Sequence, residues 1–116
     1  MNENEVIING ETYYKKRSES EKDMKYVIIR TYSAGVFAGF LKEENGKRVI
    51  LQNARRLWYW EGAASLSQLA MEGVSLPEKC KFPTEVDEIV LTEAIEIISC
   101  TEKARLSIKK VKIWQA

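Results

Sequence analysis

Tyr26-Val27-Ile28-Ile29-Arg30-Thr31-Tyr32, followed by Ser33-Ala34-Gly35 and then Val36-Phe37-Ala38-Gly39-Phe40-Leu41, is the stretch on which the fold turns. Its first seven residues are dense in β-branched and aromatic side chains, which favour an extended, pleated backbone. The small residues 33–35 permit a bend, and the second apolar run returns from it. Working outward, Asn45-Gly46 is the strongest short signal for a hairpin turn, so Lys47-Arg48-Val49-Ile50-Leu51-Gln52-Asn53 runs back antiparallel. A three-strand meander results, and Arg56-Leu57-Trp58-Tyr59-Trp60 extends the sheet. A strict two-residue period there sets Trp58 and Trp60 on one face and Leu57 and Tyr59 on the other.

Beyond this sheet, Leu66, Leu69 and Ala70 recur at helical spacing between Ala63 and Met71, with Gly73 as a stop. Pro77 and Pro83 bracket an irregular segment holding Cys80, Lys81 and Phe82. The run from Glu88 to Ser99 fits both helical and strand periods, and its β-branched density favours strand. Thr101 is a good N-cap for a last helix carrying Ala104, Ile108 and Val111 on one face and Lys109 and Lys110 at its end, with Trp114 beyond as a packing plug. The expected class is α+β: an antiparallel β-sheet meander packed with two short helices.

Residues 1–23 read as an N-terminal arm or short hairpin, with Asn9-Gly10 as its turn and the charged run 15–23 as a solvated connector; residues 24–116 form the single folded domain. A chain of 116 residues, 45% hydrophobic and 30% charged, suffices for one core. Its formal net charge of +1 gives no support for gripping long nucleic acid. No apolar run approaches the roughly 20 residues of a membrane helix, and no leader is evident, so a cytoplasmic location without membrane contact is expected. Histidine is absent, which removes the commonest general base and metal ligand, and Cys80 and Cys100 sit in no CxxC pattern. Neither a metal site nor a cofactor nor an enzyme is expected. Were the chain a nucleotide-degrading enzyme, a carboxylate such as Glu61 or Glu93 would have to serve.

The chemical signal lies in Asn53-Ala54-Arg55-Arg56-Leu57-Trp58-Tyr59-Trp60 and the Gly62-Ala63-Ala64-Ser65-Leu66-Ser67-Gln68-Leu69-Ala70 segment after it. Arginine forks grip phosphates, aromatic faces stack on bases, and a helix start aims free amides at an anion. The same residues also suit a core strand with a solvated arginine pair. Arg55 and Arg56 point oppositely in an extended chain, so at most one shares a pocket with Trp58. Arg30 is a further anion candidate or a plain surface residue. Ser65 and Ser67 either donate to a phosphate or cap the helix, and Phe82 is either a stacking platform or a loop anchor in the core.

The strings 29–39, 53–69 and 80–83 resemble, in order and spacing, those of the first-described Thoeris anti-defence proteins of phages, which act as sponges for cyclic ADP-ribose isomers made by bacterial TIR-domain enzymes. The likeness spans roughly Lys25 to Trp114. It implies a nucleotide-binding domain in a homo-oligomer, a dimer or hexamer, that encloses its ligand at subunit boundaries in the infected host without cleaving it. It also implies cyclic di- or trinucleotides at separate sites. Carried onto this chain, the likeness makes Trp58, Trp60 and Phe82 base-stacking candidates, and Arg55 or Arg56 a diphosphate contact, with Arg30 as a second anion contact. Asn53 and Thr92 suit ribose hydroxyls. An interaction module for single-stranded nucleic acid or protein is the alternative that the same aromatic and basic interleaving allows.

Overall fold

In a computed structural model of the chain, the backbone is described at residues 7–8, 11–12 and 19–116, and side chains from residue 21 onward. Two short strands, β1 (Ile7–Ile8) and β2 (Glu11–Thr12), pair antiparallel, the expected Asn9-Gly10 turn itself lies outside the described residues, and α1 (Glu19–Lys22) occupies part of the expected connector. The main body is a five-stranded antiparallel sheet of β3 (Lys25–Thr31), β4 (Val36–Asn45), β5 (Arg48–Arg56), β6 (Val86–Leu91) and β7 (Ala94–Ser99) in the order β6-β5-β4-β3-β7. Helices α2 (Leu66–Glu72) and α3 (Glu102–Lys110) complete it. The expected α+β class and antiparallel meander therefore hold.

The central strand β3 is buried on both faces, which is why its sequence is a continuous apolar run and not an alternating one. Val27 and Ile29 enter a core with Phe37, Val49, Leu51, Ala54, Leu91 and Ala94, all contributed by the sheet itself. Tyr26 and Ile28 enter a second core under the helices, with Phe40, Leu69, Phe82 and Ile108. A sheet fills a core with its own residues only by coiling. Its two edge strands, β6 and β7, are joined by just Thr92 and Glu93, and that corner is fastened by Ala94 N–H to Lys47 O at 3.0 Å and Tyr32 N–H to Glu93 O at 3.0 Å.

The coiling has a local cause. Ala38 pairs with Arg55 and Phe40 with Gln52, so Asn53 and Ala54 together oppose the single Gly39. This is a β-bulge, and bulges sharpen the twist. Asn53 adopts the left-handed conformation (φ 51°) that the position requires, which asparagine tolerates better than other side-chain-bearing residues. Gly39 is equally constrained, because a Cβ there would lie 3.0 Å from Ala54 Cα.

Three expectations are corrected. The run 88–99 is two strands, turning at Thr92-Glu93 with none of the glycine, proline or asparagine that usually marks a turn. β5 ends at Arg56, so the chain beyond it does not keep a strict period: Leu57 and Trp60 pack toward the helix core while Trp58 and Tyr59 are exposed. Trp114 is not a plug, being 46% exposed.

The helices sit where their caps put them. Ser65 Oγ accepts Gln68 N–H at 3.1 Å, and Thr101 Oγ1 accepts Ala104 N–H at 3.0 Å. Thr101 also donates its hydroxyl to Met71 O at 2.7 Å, tying the start of α3 to the end of α2. Gly73 (φ 79°) closes α2 against α3, where a Cβ would meet Ser107 at 2.3 Å.

Candidate functional site

The block 55–60 leaves the sheet at the point where β3 turns into β4. Leu57 N–H donates to Val36 O at 2.8 Å, after which Trp58 and Tyr59 N–H both donate to Lys81 O, at 3.2 and 3.3 Å. The alternation of side chains across this exit sends the two arginines to opposite sides.

Arg55 goes inward. It is 4% exposed, and its guanidinium donates from Nε to Pro83 O (2.8 Å), from Nη1 to Ile108 O (2.7 Å) and from Nη2 to Phe82 O (3.0 Å), with its Cζ 5.5 Å from the Phe82 ring centroid. Burial pulls its pKa below the ordinary value, yet guanidinium remains charged at any working pH. The expectation that Arg55 contacts a diphosphate is therefore corrected: three of its donors are committed to carbonyls, and it latches β5, the 82–83 loop and the end of α3 together. Phe82 is corrected with it. The ring is fully buried in the helix-side core and offers no free face to a base.

Arg56 goes outward and is half-buried. Its guanidinium lies 4.3 Å from the Phe37 ring centroid, and Nη1 donates to Ala34 O at 2.5 Å. Gly35 supplies the positive φ of 106° that the turn beside it needs. Trp58, two residues on, is 63% exposed. The Thr92-Glu93 link borders the same turn, with Ser33 Oγ donating to Glu93 Oε1 at 2.6 Å. Arg30 pairs across the sheet with Val36, and its side chain makes an exposed ion pair with Glu96 at 3.0 Å. Arg30, Arg56 and the 33–35 turn thus lie at one end of the sheet but not on one face: Arg30 pairs with Val36, which packs on the helix-side core, and Arg56 with Phe37 of the other core.

The other sequence candidates lie elsewhere. Asn53 forms the bulge and donates its amide to Glu21. Trp60 is corrected as an open stacking face, because it packs partly buried against the helix core. Ser65 is the α2 cap, and Ser67 is exposed on that helix. The α2 start is not an open anion seat, as Gln68 N–H is taken by Ser65 and Ala64 N–H by Gln68 Oε1 at 2.8 Å. Of the two carboxylates weighed for catalysis, Glu61 accepts the Tyr59 hydroxyl at 2.6 Å, which raises the tyrosine pKa, while Glu93 is held by Ser33. Both cysteines are free thiols, with Cys100 pushed up to about 12 by burial. Among the described residues no cluster suits a metal ion.

A second exposed cluster was not singled out from the sequence. Lys81 Nζ stands 5.7 Å from the Tyr59 ring centroid and 5.7 Å from that of Trp114. Tyr59 bridges Lys81 antiparallel, Phe82 bridges Ile113 in parallel, and Trp114 N–H donates to Phe82 O at 3.0 Å. The available signal was alternation: Cys80 and Phe82 are apolar and buried, so Lys81 between them had to face outward.

Fold and site together define a small α+β domain built on a coiled antiparallel sheet, with an aromatic and arginine surface at one end. The chain belongs to the family described as a domain of unknown function, DUF6948, whose model matches residues 24–108. Neither the curated proteins nor the solved structures yield a match. Among the described residues no helix is long and apolar enough to cross a membrane.

Proposed function

We propose that the chain binds and sequesters a cyclic ADP-ribose isomer of the glycocyclic type without cleaving it, as a phage anti-defence sponge that blocks TIR-dependent Thoeris immunity in the cytoplasm of an infected bacterium. The observation that carries this reading is an exposed Trp58 two residues beyond Arg56, whose guanidinium lies against the 33–35 turn. The indole face is free to stack on adenine. The Arg56 fork is pre-aimed by Phe37 and Ala34, and Nε and Nη2, which make no hydrogen bond among the described residues, would serve a diphosphate. The likeness to the anti-defence sponges supplies the ligand class.

Magnitudes argue for a second copy in the complete site. One stacked base contributes roughly 1–3 kcal/mol, and a charge-assisted hydrogen bond roughly 1.5–3 kcal/mol. With two donors from Arg56, Arg56 and Trp58 together therefore give about 9 kcal/mol at most, against roughly 12 for a nanomolar sponge. Enclosure between subunits would supply the remainder, and with it the homo-oligomer of this reading; cyclic oligonucleotides belong to the same proposal as ligands of separate sites.

Titration calorimetry of the intact chain with glycocyclic ADP-ribose should give saturable binding, lost by at least tenfold in Trp58→Ala and in Arg56→Ala. Heating the complex should return the ligand unchanged by mass spectrometry. Recovery of a cleaved product, or equal affinity in both variants, defeats the proposal. Affinity that instead grows with strand length for single-stranded oligonucleotides, and falls steeply with salt, would favour a nucleic-acid module.

A further inference from the structure

We infer that the cavity of about 270 Å³ between the 84–85 segment, the end of α3 and the tail beyond it is a binding site for a short-chain aliphatic carboxylate, with Arg55 as its anion contact. The site is independent of the Arg56–Trp58 end, and its volume lies below the roughly 300–1,000 Å³ of pockets that enclose larger ligands such as nucleotides. Its wall holds a charge with no counter-ion. Arg55 is 4% exposed, and a cation taken out of water is costly unless an anion is paired with it.

Among the described residues Arg55 enters no ion pair, and its hydrogen bonds go to the neutral carbonyls of Phe82, Pro83 and Ile108. A guanidinium carries five N–H donors. Nε, Nη1 and Nη2 each spend one on these carbonyls, which leaves one N–H on each terminal nitrogen. Pro83 and Ile108 directly precede Thr84 and Lys109, which line the cavity, so it is the charged end of the Arg55 side chain that reaches it.

The charges around the cavity do not cancel. Lys109 and Glu85 also line it and bond each other at 3.0 Å, so that pair is neutral and the Arg55 charge remains as a surplus that one monovalent anion would match. Thr84 adds a hydroxyl whose own hydrogen bond, to Glu85 O, is long at 3.5 Å. The rest of the lining is aliphatic, with Val111 buried and Ile113 half-exposed. Inorganic phosphate would leave those two side chains unused and bring more charge than the cavity lacks. A short alkyl chain ending in a carboxylate suits both halves, because the guanidinium fork matches the two carboxylate oxygens and the chain lies on Val111 and Ile113.

The test is isothermal titration calorimetry of the full-length chain with sodium propionate, at an ionic strength held constant with sodium chloride. Propionate should bind saturably at one site per chain, roughly tenfold tighter than formate, the weight of its two further carbons. Lys109→Ala should weaken propionate by roughly tenfold, since a charged donor is lost and Glu85 is freed to face Arg55. Glu85→Gln should tighten it by roughly fivefold, since the ligand no longer approaches a carboxylate. Both changes leave the Arg55 bonds to the carbonyls in place, so the fold survives them, and thermal unfolding of each variant checks this. Trp58→Ala should bind propionate as the parent does, so this site and the nucleotide reading stand or fall separately. Absence of saturable binding above the chloride background overturns the proposal, as does an affinity indifferent to both Lys109→Ala and Glu85→Gln. Equal affinity for formate and propionate, or tighter binding of inorganic phosphate than of propionate, overturns it too, because the aliphatic half of the cavity would then select nothing.

Discussion

Arg55 and Arg56 are neighbours in sequence with opposite work, and replacing each by alanine separates them sharply. In Arg55→Ala the carbonyls of Phe82, Pro83 and Ile108 lose their donors together. Leaving a buried acceptor unsatisfied costs roughly 1–3 kcal/mol, and the stacking on Phe82 adds about 1 kcal/mol. Water reaching the cavity of about 270 Å³ beside Arg55 would relieve part of this, so a net loss near 4 kcal/mol is expected. A domain of this length has a total stability of roughly 6–17 kcal/mol, so the variant should be strongly destabilised or partly unfolded at 37 °C. Arg55→Lys keeps the charge but cannot address three carbonyls in a plane, and should lose about half as much. Arg56→Ala should cost under about 1 kcal/mol, since its one carbonyl partner, Ala34 O, is exposed to water. Urea unfolding followed by tryptophan emission measures all three. An Arg55→Ala chain that unfolds within about 1 kcal/mol of the parent, or that folds normally and loses only ligand binding, would refute the latch.

The bulge makes its own demand: Gly39→Ala drives a Cβ toward Ala54 Cα, which is backbone and cannot step aside, so a loss of about 1–3 kcal/mol is expected in the same unfolding assay. Thr101→Ala should cost more than Ser65→Ala, about 2 against about 1 kcal/mol, because Thr101 both caps α3 and bonds Met71 O; equal losses would show that the tie between the helices contributes nothing. Burial holds the Cys100 thiol well above its ordinary pKa, so alkylation of Cys100 at pH 8 should be slow in the folded chain and accelerate in urea, whereas its rapid labelling in native protein would refute the raised pKa. Glu88 is held below the ordinary carboxylate range by the hydrogen bond from Lys42. Its contribution is therefore complete above the usual glutamate pKa and is lost as pH falls through the depressed value, and Lys42→Ala should flatten the acid limb of a stability profile.

How much of this was legible in the sequence follows from which interactions are local. Strands β3 to β5, their hairpin at Asn45-Gly46 and the caps at Ser65 and Thr101 rest on propensity and on bonds between near neighbours, and the sequence announces them. The turn at Thr92-Glu93 does not depend on its own residues. It is fixed by Lys47 O and Tyr32 N–H, both more than 40 residues away, so the apolar run passes over it without a mark. The candidate site divides along the same line. Alternation predicted that one arginine of the pair would leave the Trp58 side, but which one depends on where the ladder gains a residue. The Asn53–Ala54 bulge changes the facing of every later residue in β5, and a chain without it would present Arg55 to solvent and bury Arg56. The outward setting of Arg56 is in that sense helped by Gly39: opposite the bulge a Cβ would crowd Ala54 and Gln52 O, and the bulge turns Arg55 inward as a latch and leaves Arg56 outside.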